Sequence, residues 1–250
     1  IQEKDVPILV SLPESLKWKL HEEIFLPQLV KVPLLFNYSL LNLEICRQVC
    51  RSLSDSFHNP GCEIMSVDFP AENVILIGSG ICAYKHGSDE EDFNAVLQQG
   101  DFLAEHTIWI VGWTYCGDLN TETNSELVSI PCRVLRSAFC EDPASIGFVQ
   151  NYAKAFHERT CEDAMQTGWF TDVSLDRTDL KDLIRKAAEQ DMKKFDVNSE
   201  GKRLSEVQQA DPEMRQTISQ TGRSFNFRQA LKSIAAAPHD RVTTRGSVLG

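Results

Sequence analysis

Positive charge is scarce in this chain. Lysine and arginine number 25 against 36 aspartates and glutamates, for a formal net charge of −11, and neither basic residue occurs between Lys85 and Arg133. That balance excludes a general nucleic-acid or anionic-membrane binder, which needs a concentrated Lys/Arg face. No apolar run approaches the roughly 20 residues of a membrane helix, and no signal peptide is evident. The eight cysteines (Cys46, Cys50, Cys62, Cys82, Cys116, Cys132, Cys140, Cys161) are scattered, with no Cys-x-x-Cys pair and no Cys/His set at zinc spacing. They are expected to be reduced thiols of a cytosolic protein. His21-Glu22-Glu23 and His157-Glu158 lack the second histidine of a zinc protease motif, and no serine or cysteine sits in a nucleophile elbow. No catalysis, cofactor or metal is expected. Because the first residue is Ile1 rather than methionine, a preceding membrane portion remains open.

The 250 residues, 42% hydrophobic, suffice for one compact domain with appendages. Ser11 and Pro13 suit a helix start, and Leu16, Leu20 and Ile24 recur at helical spacing as its expected inner face. Residues 40–53 predict a second helix, with Cys46 and Cys50 as core packing. From Pro60-Gly61 the period changes, and strands are expected at 63–69, 74–77, 81–84, 94–97 and 126–130, divided by glycine and aspartate turns. Such a series suggests a small antiparallel barrel or sandwich. Helical spacing returns at 133–141 and 144–159, broken at Pro143, and again at 180–195. Residues 235–250 hold few core formers and read as a loose tail.

Residues 74–118 concentrate the candidate chemistry. Gly78-x-Gly80-x-x-Ala83 after an apolar strand fits a dinucleotide-binding fingerprint. The helix that such a motif requires is interrupted by Gly87-Ser88-Asp89-Glu90, so a hairpin turn at Gly78–Gly80 is the preferred reading. Farther on, Asp196, Asn198, Glu200 and Gly201 resemble the opening of an EF-hand loop. Position twelve falls on Val207, which favours a plain helix-ending turn.

The order of elements resembles a cyclic-nucleotide-binding domain: two N-terminal helices, the Pro60-Gly61 turn, strands around Gly80, the segment Gly100-Asp101-Phe102-Leu103-Ala104-Glu105, a late strand and closing helices. Leu12-Pro13-x-x-Leu16 and Val32-Pro33-Leu34-Leu35-Phe36 resemble the linker and first helix of that domain in voltage-gated and cyclic-nucleotide-gated cation channels. Residues 109–118 and 151–159 are similar to the variant in protist channels. The resemblance covers residues 10–160. It implies an α+β fold in which a jelly-roll antiparallel β-barrel is flanked by helices. In the family the phosphate-binding cassette supplies a glycine whose amide approaches the cyclic phosphate, a glutamate for the ribose hydroxyl and an arginine for the phosphate charge. Here Glu105 matches the ribose-binding glutamate, Leu103 and Ala104 replace Phe and Gly, and the arginine is missing. A charge-assisted bond of that kind contributes about 1.5–3 kcal/mol, so its loss weakens nucleotide binding by roughly tenfold to a hundredfold.

The candidate ligand-binding residues are therefore Gly100, Ala104, Glu105, Trp109, Trp113 and Tyr115. The three aromatics either fill the pocket as a built-in plug or pack as ordinary barrel wall. The resemblance implies a linker-like segment at 1–40, the binding-type domain at 41–160, a helical extension at 161–234 and a disordered tail at 235–250. The expected function is that of a non-enzymatic regulatory domain on the cytoplasmic face of a voltage-gated cation channel, of the potassium type. Its pocket would be degraded, its partners the channel's own transmembrane region and copies of itself in a tetramer, and the fragment itself soluble. A soluble cAMP or cGMP sensor and a nucleotide-dependent oxidoreductase are the alternatives.

Overall fold

The computed structural model describes residues 11–86 and 93–207. The acidic loop at 89–92 and the tail at 235–250 lie outside them. The chain opens with three helices, α1 (Glu14–Leu29), α2 (Pro33–Leu41) and α3 (Leu43–Cys50). Pro13, not Ser11, occupies the N-cap of α1, without a side-chain capping bond. The expected inner face of α1 turns outward: Leu16 and Ile24 are exposed, while Phe25 and Leu29 are buried. The single helix expected at 40–53 is divided at Asn42, whose side chain accepts from the Ile45 amide and so starts α3. Cys46 and Cys50 lie in the core as expected, and all eight cysteines are free thiols.

Next come the strands: β1 (Ser54–His58), β2 (Glu63–Met65), β3 (Asn73–Ser79), β4 (Ile81–Lys85), β5 (Asn94–Gln98), β6 (Phe102–Leu103), β7 (Asp118–Thr121) and β8 (Ser125–Pro131). They form two antiparallel sheets, ordered β1-β8-β3-β6 and β2-β7-β4-β5. Ile75, Ile77, Leu103 and Leu127 of the first sheet meet Met65, Cys82, Tyr84, Leu97 and Leu119 of the second. No closed barrel is found among the described residues, since strand pairing stays within each sheet. Within the first sheet, β3 is buried on both sides. Alternate residues Val74, Leu76, Val128 and Ile130 point to the helices, which explains the continuous apolar run that marked β3.

Gly78–Gly80 is not a hairpin. β3 and β4 belong to different sheets, and Gly80, with φ +89°, is the corner where the chain passes between them. A Cβ there would lie 2.3 Å from Ser125 Oγ and 2.6 Å from the Asn124 carbonyl oxygen. Glycine is required by both the angle and the space. The segment after Gly80 is an antiparallel strand rather than a helix, which removes the dinucleotide-binding reading.

Between β6 and β7 lies the one-turn helix α4 (His106–Trp109). After β8 come α5 (Cys132–Cys140), α6 (Ile146–Thr167) and α7 (Arg177–Val207). α6 ends at Gly168 in the left-handed conformation, φ +90°. α7 runs unbroken through Asp196 to Gly201, so this stretch is neither a calcium loop nor the helix-ending turn expected there. Leu180, Leu183, Ile184, Ala187 and Ala188 of α7 enter the same core as the N-terminal helices. No helix among the described residues is long and apolar enough to cross a membrane.

Candidate functional site

The segment joining α6 to α7, residues 169–176, crosses the open end of the sandwich as a strap. Val173 makes an isolated antiparallel bridge to Leu103. The Ala104 amide, held at φ +62°, donates to the Asp172 carbonyl oxygen at 2.7 Å. These backbone bonds deliver the Asp172 side chain into the interior, where it is fully buried.

Four donors meet the Asp172 carboxyl. Trp113 Nε1 donates to Oδ1 at 2.8 Å. Oδ2 receives the Cys116 amide at 2.6 Å, the Gly117 amide at 3.2 Å and the Tyr84 hydroxyl at 3.0 Å. The Tyr84 hydroxyl in turn accepts from the Asp172 amide at 3.2 Å. Gly117 permits this arrangement, because a Cβ there would sit 2.5 Å from the Lys85 carbonyl oxygen and 2.7 Å from the Tyr84 hydroxyl. Burial pushes the Asp172 carboxyl above its ordinary value, and the donors from Trp113, Cys116, Tyr84 and Gly117 act against it. With both oxygens engaged as acceptors, the group is set up as an anion. Every donor is neutral.

The arginines that approach the segment are engaged with backbone. Arg136 Nη1 donates to the Thr107 carbonyl at 2.8 Å, and Arg177 Nη2 to the Gly100 carbonyl at 2.8 Å. Gly100 therefore anchors the start of α7 through its carbonyl oxygen.

Glu105, next in sequence to Ala104, is fully buried. Its Oε1 accepts from the Tyr152 hydroxyl of α6 at 2.8 Å, and Oε2 has no hydrogen-bond partner. Burial pushes its carboxyl up to about 7, with the Tyr152 and Trp109 side chains opposing. Next to it, His106 stacks on Trp113 with ring centroids 4.7 Å apart, meets Phe156 of α6 edge-on, and lies 3.5 Å from Thr160 Oγ1. Burial lowers His106 to about 4, so the ring is neutral at physiological pH.

The three aromatics singled out in sequence separate in space. Trp113 holds Asp172. Trp109 faces the helical core, parallel to Phe139 with centroids 6.0 Å apart. Tyr115 packs against the sandwich core, its backbone paired with Phe69 and Asp68. Of the other candidates, Ala104 bonds the strap at Asp172, Gly100 holds Arg177 just beyond it, and Glu105 faces Tyr152 of α6. The residues that complete the site, Tyr84, Tyr152 and Asp172, carried no local motif. The available signal was Trp169-Phe170, an aromatic pair in a polar stretch just after a helix-stopping glycine. Beside the strap a cavity of about 110 Å³ remains, lined by His106, Thr160, Ala164, Phe170 and Val173 among others. This is well below the roughly 300–1,000 Å³ of small-molecule pockets. Among the described residues no cluster of three His, Cys, Asp or Glu side chains could hold a metal ion.

No family model and no curated protein matches this chain. Among solved structures it is similar to the regulatory subunit of a cAMP-independent protein kinase A from Trypanosoma brucei, at 17% identity and a TM-score of 0.42, over 50% of this chain and 45% of that one. It is also similar to the C-linker/CNBHD of zELK channels, at 18% identity and a TM-score of 0.34, over 40% of this chain and 59% of that one. A third is the sensor domain of the transcriptional regulator DNR from Pseudomonas aeruginosa, at 14% identity and a TM-score of 0.42, over 50% and 86%. The chain thus spans less than half the length of the trypanosome subunit. Residue roles in this chain rest on its own contacts.

Proposed function

We propose that this chain is a non-enzymatic regulatory domain of the cyclic-nucleotide-binding type whose nucleotide pocket is closed by its own strap. The observation that carries this reading is the Asp172 carboxylate, which sits on the Cys116 and Gly117 amides where a ligand anion would be held. The two antiparallel four-stranded sheets, ordered β1-β8-β3-β6 and β2-β7-β4-β5, support a jelly-roll reading of the fold. Glu105, the counterpart of a ribose acceptor, is turned instead to the closing helix α6 through Tyr152.

The domain belongs, in this reading, to the cytosolic C-terminal region of a voltage-gated cation channel of the potassium type, on the cytoplasmic face of the membrane and in a tetramer. A route for coupling is present. Tyr38 of α2 donates to Asp142 Oδ2 at 2.9 Å and Asn42 to the same oxygen at 3.1 Å, tying the N-terminal helices to the turn from which α6 starts. Movement of α6 is thereby passed to α1–α3, and a ligand or strap biases that movement by its differential affinity for the two states.

Calorimetric titration with cAMP and cGMP is the test. No binding tighter than about 100 μM is expected, since the pocket offers no phosphate cation and is already filled. Micromolar affinity would favour the soluble-sensor alternative. The channel assignment predicts membrane-spanning helices shortly before Ile1 in the full-length protein, and a preceding stretch without them contradicts it.

A further inference from the structure

The geometry points to a carboxylate-selective anion site at the Trp113–Gly117 turn, with Asp172 as its resident occupant and small monocarboxylates as the ligand class it takes when that side chain is withdrawn. The inference rests on the strap-closed reading but concerns what the corner recognises, not whether nucleotides bind.

Two features set the selectivity. The donors lie on both edges of a flat group: Trp113 Nε1 on one oxygen, and the Cys116 amide, the Gly117 amide and the Tyr84 hydroxyl on the other. That arrangement matches two oxygens on one planar carbon. Second, no lysine or arginine among the described residues bonds to the Asp172 carboxyl, so the site compensates one delocalised charge through dipoles alone. Successive backbone N–H groups in a turn make a concave anion-binding surface of this kind. A tetrahedral phosphate brings a third and fourth oxygen and more charge, for which these bonds leave no donor.

The occupant is also separable from the frame. Arg177 and Gly100 anchor the start of α7, and Leu180 to Ala188 are buried in the core, independently of the Asp172 side chain. Its removal leaves a carboxylate-sized vacancy with all four donors in place.

The experiment is a thermal and NMR titration of Asp172→Ala with sodium formate, sodium phosphate and sodium chloride at matched ionic strength. Formate is expected to raise the melting temperature of D172A saturably, with a dissociation constant on the order of 1–10 mM for so small a ligand. Phosphate is expected to be roughly tenfold weaker or worse. Wild type and Asp172→Asn should show no formate effect beyond chloride, because their sites are filled. A folded D172A that shows no saturable formate effect, a phosphate effect as strong as formate, or an equal formate effect in wild type overturns the proposal. If D172A does not fold, the amide protons of Cys116 and Gly117 decide. They should lie downfield in wild type, as charge-assisted bonds require, and move upfield in D172N. Unchanged shifts in D172N would equally overturn it. Nucleotide binding by wild type would sink the strap-closed reading while leaving the formate result to be read by itself.

Discussion

Asp172 and Glu105 are both fully buried carboxyls, yet the protein supplies them with different numbers of donors. Asp172 receives four donors, two from the aromatic side chains of Tyr84 and Trp113 and two from the Cys116 and Gly117 amides. Glu105 accepts a 2.8 Å bond from Tyr152, has Trp109 as a weaker neighbour, and makes no close hydrogen bond at Oε2. Burial alone therefore does not decide the state of an acid. Burial raises both carboxyls, and the donors aimed at each oppose it: four at Asp172, and the Tyr152 and Trp109 side chains at Glu105. The first fixes the strap, and the second fastens the closing helix α6.

The sharpest way to break this contrast is to remove the better-satisfied carboxyl. Asp172→Ala strands four buried donors, and since each unsatisfied group costs about 1–3 kcal/mol, a loss of roughly 3 kcal/mol or more is expected in urea unfolding. A loss below about 1 kcal/mol would mean the corner does not hold an anion.

Proton linkage gives the next effect. Glu105 rises to about 7 in the fold, so its contribution is full below its unfolded value of about 4.5 and is lost as pH rises to about 7. His106 falls to about 4, so its contribution is full above its unfolded value of about 6.5 and is lost as pH falls toward 4. Between about 4.5 and 6.5 the two slopes oppose each other, and their contributions to wild-type stability should nearly cancel. Glu105→Gln unmasks His106, and stability should then rise with pH across that window by up to about 3 kcal/mol. His106→Phe should make it fall instead. Denaturant midpoints measured every half pH unit check both signs, and a flat profile in either variant contradicts the assignment.

Smallest is Tyr152→Phe, which deletes the Tyr152 hydrogen bond to Glu105. About 1 kcal/mol of destabilisation is expected, and the loss of that donor should extend the Glu105 slope to higher pH.

The same contrast marks how far the sequence could be read. The missing cation between Lys85 and Arg133 was plain, and so was β3, because strands buried on both faces read as continuous apolar runs. β1, whose residues are Ser54-Asp55-Ser56-Phe57-His58, was silent, because an edge strand buries little and its polar pattern mimics a loop. β7 was silent for a related reason, as only Leu119 and Thr121 are buried. Gly80 was legible as a special angle but not as a sheet-to-sheet corner, since that depends on which strands pair. The inner face of α1 was misjudged because Phe25 and Leu29, near Pro27, meet the core, whereas the regular Leu16–Ile24 series does not. Glu105 could be located by its place in the loop. Asp172 could not, because its meaning comes from Tyr84, Trp113 and the Cys116–Gly117 amides, 55 to 88 residues away along the chain.

The central claim is that Asp172 occupies the anion corner of the pocket in the resting protein. Amide hydrogen exchange at Cys116 and Gly117 tests it most directly, with the β8 amide of Leu127 as an internal reference. Both turn amides should be protected in wild type and lose protection in D172A while Leu127 keeps it. Rapid exchange of Cys116 and Gly117 in the wild-type protein would contradict the account.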